Sequence, residues 1–497
     1  IYDSGTTPAD RALFEGVTPA TTGPCLLEPE LGSLLPKNWQ RPRFRWVAAE
    51  GHNLFEIRVH ADNQTQDLVV YTSVTAWIMP GDMWLALRDH SEDRPLEVTV
   101  RSGVKGSGAL TDVGEVSGEI TIAPVEAPGT IVYWTSGAGS VESALKGFKV
   151  GDEGVASVLT PADIPEANSG CIGCHISSPD GAYAITSLGS AQYGDMIAGI
   201  KADNLGQKPP FLKEGGRQAL LLPQRGAAAV SPAHWQDGDH VIITSFNSAG
   251  KQGLSWVDLE AETLETATGL LAHDGEPPPP NWPTDFGQVA PSWSRSGENI
   301  AYVSAKSFVD GRVEGGPADI YVIPYNDRLG GTATALAGAA DPDWTETYPS
   351  YSPDDAYVAF NRVAGITRPY AEPTMEIFLV PSAGGTPLRP VGNDPTACSG
   401  KVSPGVSNTW ARWSPRSESH GDRTYYWLVF SSTRYTVVPQ LFMSPIVVVG
   451  GEVTSYPALY FWNQPIDESN HTPAWDTFDI PPPPVTPPPV PPPPPPR

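Results

Sequence analysis

From about residue 26 to 126 the chain alternates apolar and polar positions over short runs: RFRWVAA, NLFEIRVHA, DLVVYTS, MWLALRDH, LEVTVRS and EVSGEITIAPV, with turn residues between them. A two-residue period sends successive side chains to opposite faces, so each run predicts a half-buried strand. Six or seven such strands in about 100 residues predict a β-sandwich of the immunoglobulin or fibronectin kind. Residues 1–25 are polar and rich in Thr, Gly and Pro, and predict a linker or extended arm.

The remaining chain repeats. CHISSPDGAYAITS, AAAVSPAHWQDGDHVIITS, APSWSRSGENIAYVS, YPSYSPDDAYVAFNR and WARWSPRSES each read as a strand ending in Ser, a turn, then a second strand. The serines are Ser178, Ser231, Ser294, Ser352 and Ser414, spaced by 53, 63, 58 and 62 residues. Further strands such as ADIYVIPYN and MEIFLVPSAGG follow most of them. Four antiparallel strands per unit, repeated radially, make a β-propeller. Continuing the register from Ser414 reaches Asp476 in HTPAWDTFDI, a sixth inner strand with no outer strands after it. The missing three, GTIVYWTS, SALKGFKV and GVASVLTP, precede the first repeat at 129–161. The C-terminal strand should therefore complete the first blade and close a six-bladed ring, which hides sheet edges. The expected organisation is an arm (1–25), a sandwich (26–126), a six-bladed propeller (127–480) and a tail (481–497), an all-β protein overall. The tail has 13 prolines in 17 residues, the composition of a polyproline II rod. It reads as a spacer, or as a ligand for an aromatic groove on a neighbour.

Composition narrows the partners. Acidic residues outnumber basic ones 56 to 31, for a net charge of -25. Such a surface repels nucleic acid and anionic lipid. No apolar run is long enough for a membrane helix. A start at Ile1 without Met is what removal of an export signal would leave.

Two of only four cysteines stand in SGCIGCHISSPDG as Cys171-x-x-Cys174, with His175 directly after. Cys-x-x-Cys-His is the signature of covalent c-type haem attachment: the two thiols add to the two vinyl groups, and the histidine binds iron from one face. A zinc site needs four ligands, usually two such pairs, and only the isolated Cys25 and Cys398 remain. A thioredoxin-type pair belongs in a βαβ setting absent here. A disulfide or a chance match completes the alternatives. Aligning Ser178 with Ser294 puts Cys174 and His175 on an innermost strand, at one mouth of the propeller axis. In the same register His471 lies five residues before Asp476, as Gly173 lies five before Ser178. That makes His471 the first candidate for the opposite face of the iron, against a plain reading as a turn histidine. Haem attachment takes place outside the reducing cytosol, where a Cys25–Cys398 disulfide could tie the N-terminal arm to a blade loop; two thiols are the alternative. No Gly-rich phosphate loop, His-Glu-x-x-His or Gly-x-Ser-x-Gly elbow occurs.

The motifs SPDG, WSRSGENIAYVS and YSPDDAYVAF resemble the TolB-like six-bladed propellers over about 129–480. More narrowly, the chain resembles exported myxobacterial-type TolB-like proteins, in which a sandwich precedes the propeller, a Cys-x-x-Cys-His precedes the first Ser-x-Asp-Gly, and an Asn-His-x-Pro-x-Trp segment lies near the end. Here those are Cys171, Cys174, His175, Ser178 to Gly181 and Asn470 to Trp475. The resemblance implies an exported, haem-bearing propeller and carries no activity with it. The expected function is a monohaem cytochrome that transfers electrons at or outside the cell envelope rather than an enzyme. Its partners would be a redox protein or sister subunits, in a surface assembly or filament joined through the arm or the tail. The alternatives are a module binding peptide or polysaccharide with a structural haem, and a peroxidase-like enzyme with an open iron.

Overall fold

A computed structural model of the chain describes residues 1–137, 143–164, 171–188, 194–222, 225–248, 251–271, 287–309, 312–365 and 372–483, so the tail from 484 on lies outside the described residues. The first strands form two sheets. In one, Thr21–Thr22, Leu110–Ile122, Pro95–Lys105, Leu54–Ala61 and Leu68–Thr72 lie side by side, with Leu34–Leu35 also against Leu110–Ile122. The other is Cys25–Glu28, Arg43–Val47 and Ala76–Ile78. Alternation supplies the core: Phe55, Ile57 and Val59 from one sheet meet Phe44, Trp46 and Trp77 from the other.

Two expectations are corrected here. The run MWLALRDH is not a strand but part of the helix Gly81–His90. Pro80 at its start, Asp82 in its first turn and a run of good helix formers favour that, and Trp84 alone supplies its buried anchor. Residues 1–25 are not a free arm. A capping box joins Thr7 and Asp10 at the start of the helix Pro8–Phe14. That helix buries Phe14 beside Tyr71, and the Ile1 ammonium donates to the Val69 carbonyl at 2.8 Å.

Six propeller blades follow in chain order, blades four and five being joined into one sheet by a parallel pair, Ala318 opposite Thr345. The first contains Thr130–Gly137, Ala144–Lys149 and Ala156–Leu159, and its innermost strand is the distant Glu468–Asp476. The pairing is antiparallel, with Thr130 opposite Asp476 and Ile131 opposite Trp475. The innermost strands of blades two to six are Ile172–Ser177, Arg225–Val230, Gly287–Trp293, Trp344–Tyr351 and Thr409–Trp413. Apolar clusters join each blade to the next. Ala198 meets Val132 between blades one and two, Ile185 meets Ile242 between two and three, and Ile243 meets Ile300 between three and four. Ile320 meets Val358 between four and five, and Leu379 meets Leu428 between five and six. The ring closes because Val429 and Leu441 of blade six share a cluster with Ile131 and Tyr133 of blade one.

That last cluster is also the core of the sandwich, so Phe44, Phe55, Trp427 and Phe461 belong to one apolar body. Each such side chain contributes roughly 1.5–3 kcal/mol on burial. Cys25 and Cys398 add a disulfide between the sandwich and a loop after blade five, with Cα atoms 6.0 Å apart.

Candidate functional site

The repeated serine holds the blade turn. Ser178 Oγ accepts the Tyr183 N–H at 3.0 Å, Ser294 Oγ that of Asn299 at 3.0 Å, and Ser352 Oγ that of Tyr357 at 2.9 Å. The hydroxyl thus satisfies a backbone donor five residues on, in a turn whose Gly181 and Gly297 have φ of +71° and +81°. In blade three the same position, Ser231, caps the short helix Pro232–Gln236 instead.

Upstream of that serine every innermost strand carries a β-bulge. The pairing register shifts between Ile172 and His175, Gly226 and Ala229, Val289 and Ser292, Thr347 and Ser350, and Thr409 and Arg412. The closing strand shifts likewise against its partner between Val132 and Trp134. At the bulge Ala290, Tyr348, Trp410 and Thr472 all have φ between +47° and +58°. Four non-glycine residues in the left-handed region cost roughly 1 kcal/mol each, which the surrounding sheet must offset. All four lie four residues before the turn residue of their blade, and Cys174 holds the equivalent place in blade two.

The bulge decides where the predicted site residues point. In a regular strand, residues three apart face opposite sides. Here Cys171, Gly173, Cys174 and Ile176 are half-buried, whereas Ile172, His175 and Ser177 are buried. The extra residue resets the alternation, so Cys174 and not His175 continues the half-buried series. Cys174 packs on Val289, Ala290, Tyr348 and Trp410 at the centre of the ring. His175, one residue on, turns away from the axis into the seam with blade one. Its Nε2 lies 2.9 Å from the Val132 carbonyl and its Nδ1 3.3 Å from that of Gly173. The expectation that His175 would face the axial mouth is therefore corrected: Cys174 faces it.

His471 sits across the same seam. It is opposite Trp134 in the closing pair, with ring centroids 4.5 Å apart and the rings edge to face. Burial pushes its pKa down to about 4, and nearby His175 adds to the shift. Burial likewise pushes His175 down to about 4. Both imidazoles are thus held neutral, the form that can bind a metal. The fold brings His175 and His471 near each other at one seam and joins Cys25 to Cys398; Cys174 lies on the strand that carries His175, and Cys171 just before that strand.

Among the described residues no group of three or more His, Cys, Asp and Glu side chains could hold a metal ion on its own. A haem iron needs only axial ligands from protein, because the porphyrin supplies the other four. The donors present for that need are two neutral imidazoles, His175 and His471, at one seam, with Cys171 and Cys174 in the run that leads into His175. Iron binding at His175 Nε2 would take the atom that now bonds to Val132.

Three residues at this centre escaped the sequence reading. Tyr348 and Trp410 pack 4.6 Å apart beside Cys174, and Arg412 stacks on Trp410 at 4.9 Å. Their signal is positional, four and two residues before the blade serine.

No family model matches the sequence, and no curated protein does. Among solved structures, the chain is similar to a putative TolB from Agrobacterium tumefaciens at 16% identity, over 69% of this chain and 98% of that one, with a TM-score of 0.35. An α-L-arabinanase from Cellvibrio cellulosa, complexed with arabinohexaose, matches at 10% identity over 56% and 94%, with a TM-score of 0.29. A B. megaterium levansucrase mutant matches at 10% identity over 66% and 86%, with a TM-score of 0.27.

Proposed function

We propose that the protein is an exported monohaem c-type cytochrome that carries electrons. The support for this reading is the Cys171-x-x-Cys174-His175 run at a bulged inner strand, together with two buried, neutral imidazoles, His175 and His471, at the adjoining seam. The thiols would hold haem c covalently, and the two histidines would be its axial ligands. Bound haem supplies a one-electron couple at iron. The chain supplies the enclosure: Cys174 lies among Val289, Ala290, Tyr348 and Trp410, which lower the local dielectric. A disulfide at Cys25–Cys398 suits the oxidising compartment in which haem attachment occurs. A single haem passes electrons onward only beside other redox centres, so we place the protein in an assembly at or outside the cell envelope.

The test is a visible spectrum of protein purified from its native source, with a pyridine haemochrome assay and intact mass. One covalent haem and a low-spin, six-coordinate spectrum are expected. Cys171→Ser with Cys174→Ser should abolish attachment, and His471→Ala should turn the spectrum high-spin. A colourless chain of unmodified mass refutes the reading.

A further inference from the structure

A cavity of about 120 Å³ lies on the propeller axis, bounded by the innermost strands of all six blades. The repeat allows each lining position to be compared across blades. Two residues before the turn residue stand Ile176, Ala229, Ser292, Ser350, Arg412 and Ala474, and all six line the cavity. Five are small or aliphatic side chains and one is a guanidinium. One residue after the turn residue stand Pro179, Pro232, Pro353, Pro415 and Thr477, against Arg295 in blade four. Arg295 also lines the cavity. The other blades form the same strand and turn without a cation at either position, so the fold requires neither arginine.

Arg412 is poorly compensated. Its Nη1 donates to the Ala411 carbonyl at 2.8 Å and its guanidinium lies over Trp410, but no carboxylate of the described residues pairs with it. Desolvation pushes its pKa down to about 10, and the Cys174 thiol and the Tyr348 hydroxyl offset this only in part. A desolvated guanidinium without a carboxylate partner is costly. This chain has 56 acidic residues against 31 basic ones, so leaving this cation unpaired is unexpected on composition. The one carboxylate lining the cavity is Asp476. It faces Arg295 at 3.9 Å, too far for a hydrogen bond. Two guanidiniums against one carboxylate leave a net positive cavity. Ser292 Oγ accepts the Tyr351 N–H at 3.3 Å, which leaves its own hydroxyl hydrogen to donate.

We propose that this axial cavity binds one small oxyanion, a carboxylate or phosphate group, with Arg412 as the main ligand and Arg295, Ser292 and Ser350 as further donors. The volume suits a group of about five heavy atoms. Guanidinium and hydroxyl donors match the oxygens of such a group. None of Cys171, Cys174, His175 or His471 lines the cavity, although Arg412 adjoins Cys174 through Trp410; the anion site needs no haem and is tested without reference to it.

Calorimetric titration of the full-length protein with inorganic phosphate, and separately with acetate, at constant ionic strength tests it. Saturable 1:1 binding of either anion is expected, and whichever binds more tightly identifies the source. Arg412→Met should weaken that binding about tenfold or more, the loss of one charge-assisted hydrogen bond. Arg295→Gln should weaken it less, and the exposed Arg416→Gln not at all. Ligand-free Arg412→Met should melt higher than the wild type, because it removes an uncompensated charge. Absence of saturable binding to both anions, unchanged affinity in Arg412→Met, or a lower ligand-free melting temperature in that variant overturns the proposal.

Discussion

At the residue scale, burial sets the charge state of the groups that matter. Glu346 is fully buried near the start of the blade-five inner strand. Desolvation pushes its pKa up to about 7. Arg362, whose Nε donates to Oε1 at 2.9 Å, and the Asp341 backbone N–H pull the other way, while Asp319 adds to the rise. The folded chain therefore keeps a proton that the unfolded chain, with a value of 4.5, has released. Because the native state binds more protons in that window, stability falls as pH rises from about 4.5 to about 7. Thermal or urea melts across the window should show this slope, and Glu346→Gln should flatten it. An unchanged slope in the variant would rule Glu346 out as its source. The motif residues follow the same logic, since His175 and His471 stay neutral because the seam between blades excludes water.

At the element scale, the innermost strand is the unit that builds the site. Its bulge sets which residue meets the axis, and in blade two that residue is Cys174. The closing strand has a second duty. Without Glu468–Asp476, the strand Thr130–Gly137 becomes an open edge, and Ile131 and Tyr133 lose Trp475. A chain truncated after Pro465 should lose cooperative unfolding and aggregate, whereas one truncated after Pro483 should melt like the full chain. Cooperative unfolding of the shorter chain would show that ring closure is dispensable. The helix Gly81–His90 shows the limit of pattern reading at this scale. Its short apolar run fits either period, and the turn residue Pro80 with the helix formers after it decided the outcome.

At the scale of the whole molecule, sandwich and propeller share an apolar core, and the Cys25–Cys398 disulfide spans 373 residues of chain. A link across so long a loop restricts the unfolded chain strongly, and such bridges typically contribute 2–4 kcal/mol. Cys25→Ser with Cys398→Ser should therefore unfold at lower denaturant concentration, with a loss of roughly that size in equilibrium melts. Equal midpoints for the two proteins would show that the shared core alone holds the two parts together.

Local chemistry was enough for much of this protein. Alternating runs specified strands, the repeated Ser specified blade turns, and the spacing of the repeats specified six blades with the last strand closing the first. Each of these depends on neighbours in the chain or on a period, and both are written in the order of residues. Which way a side chain points was not. The bulge that turns Cys174 to the axis and His175 into the seam comes from pairing with the next strand. The docking of residues 1–25 comes from a sheet surface at Val69 and Tyr71. The unpaired charge of Arg412 comes from the convergence of six strands on one axis. Such contacts join residues tens to hundreds of positions apart, and only the packed chain brings them within reach of one another.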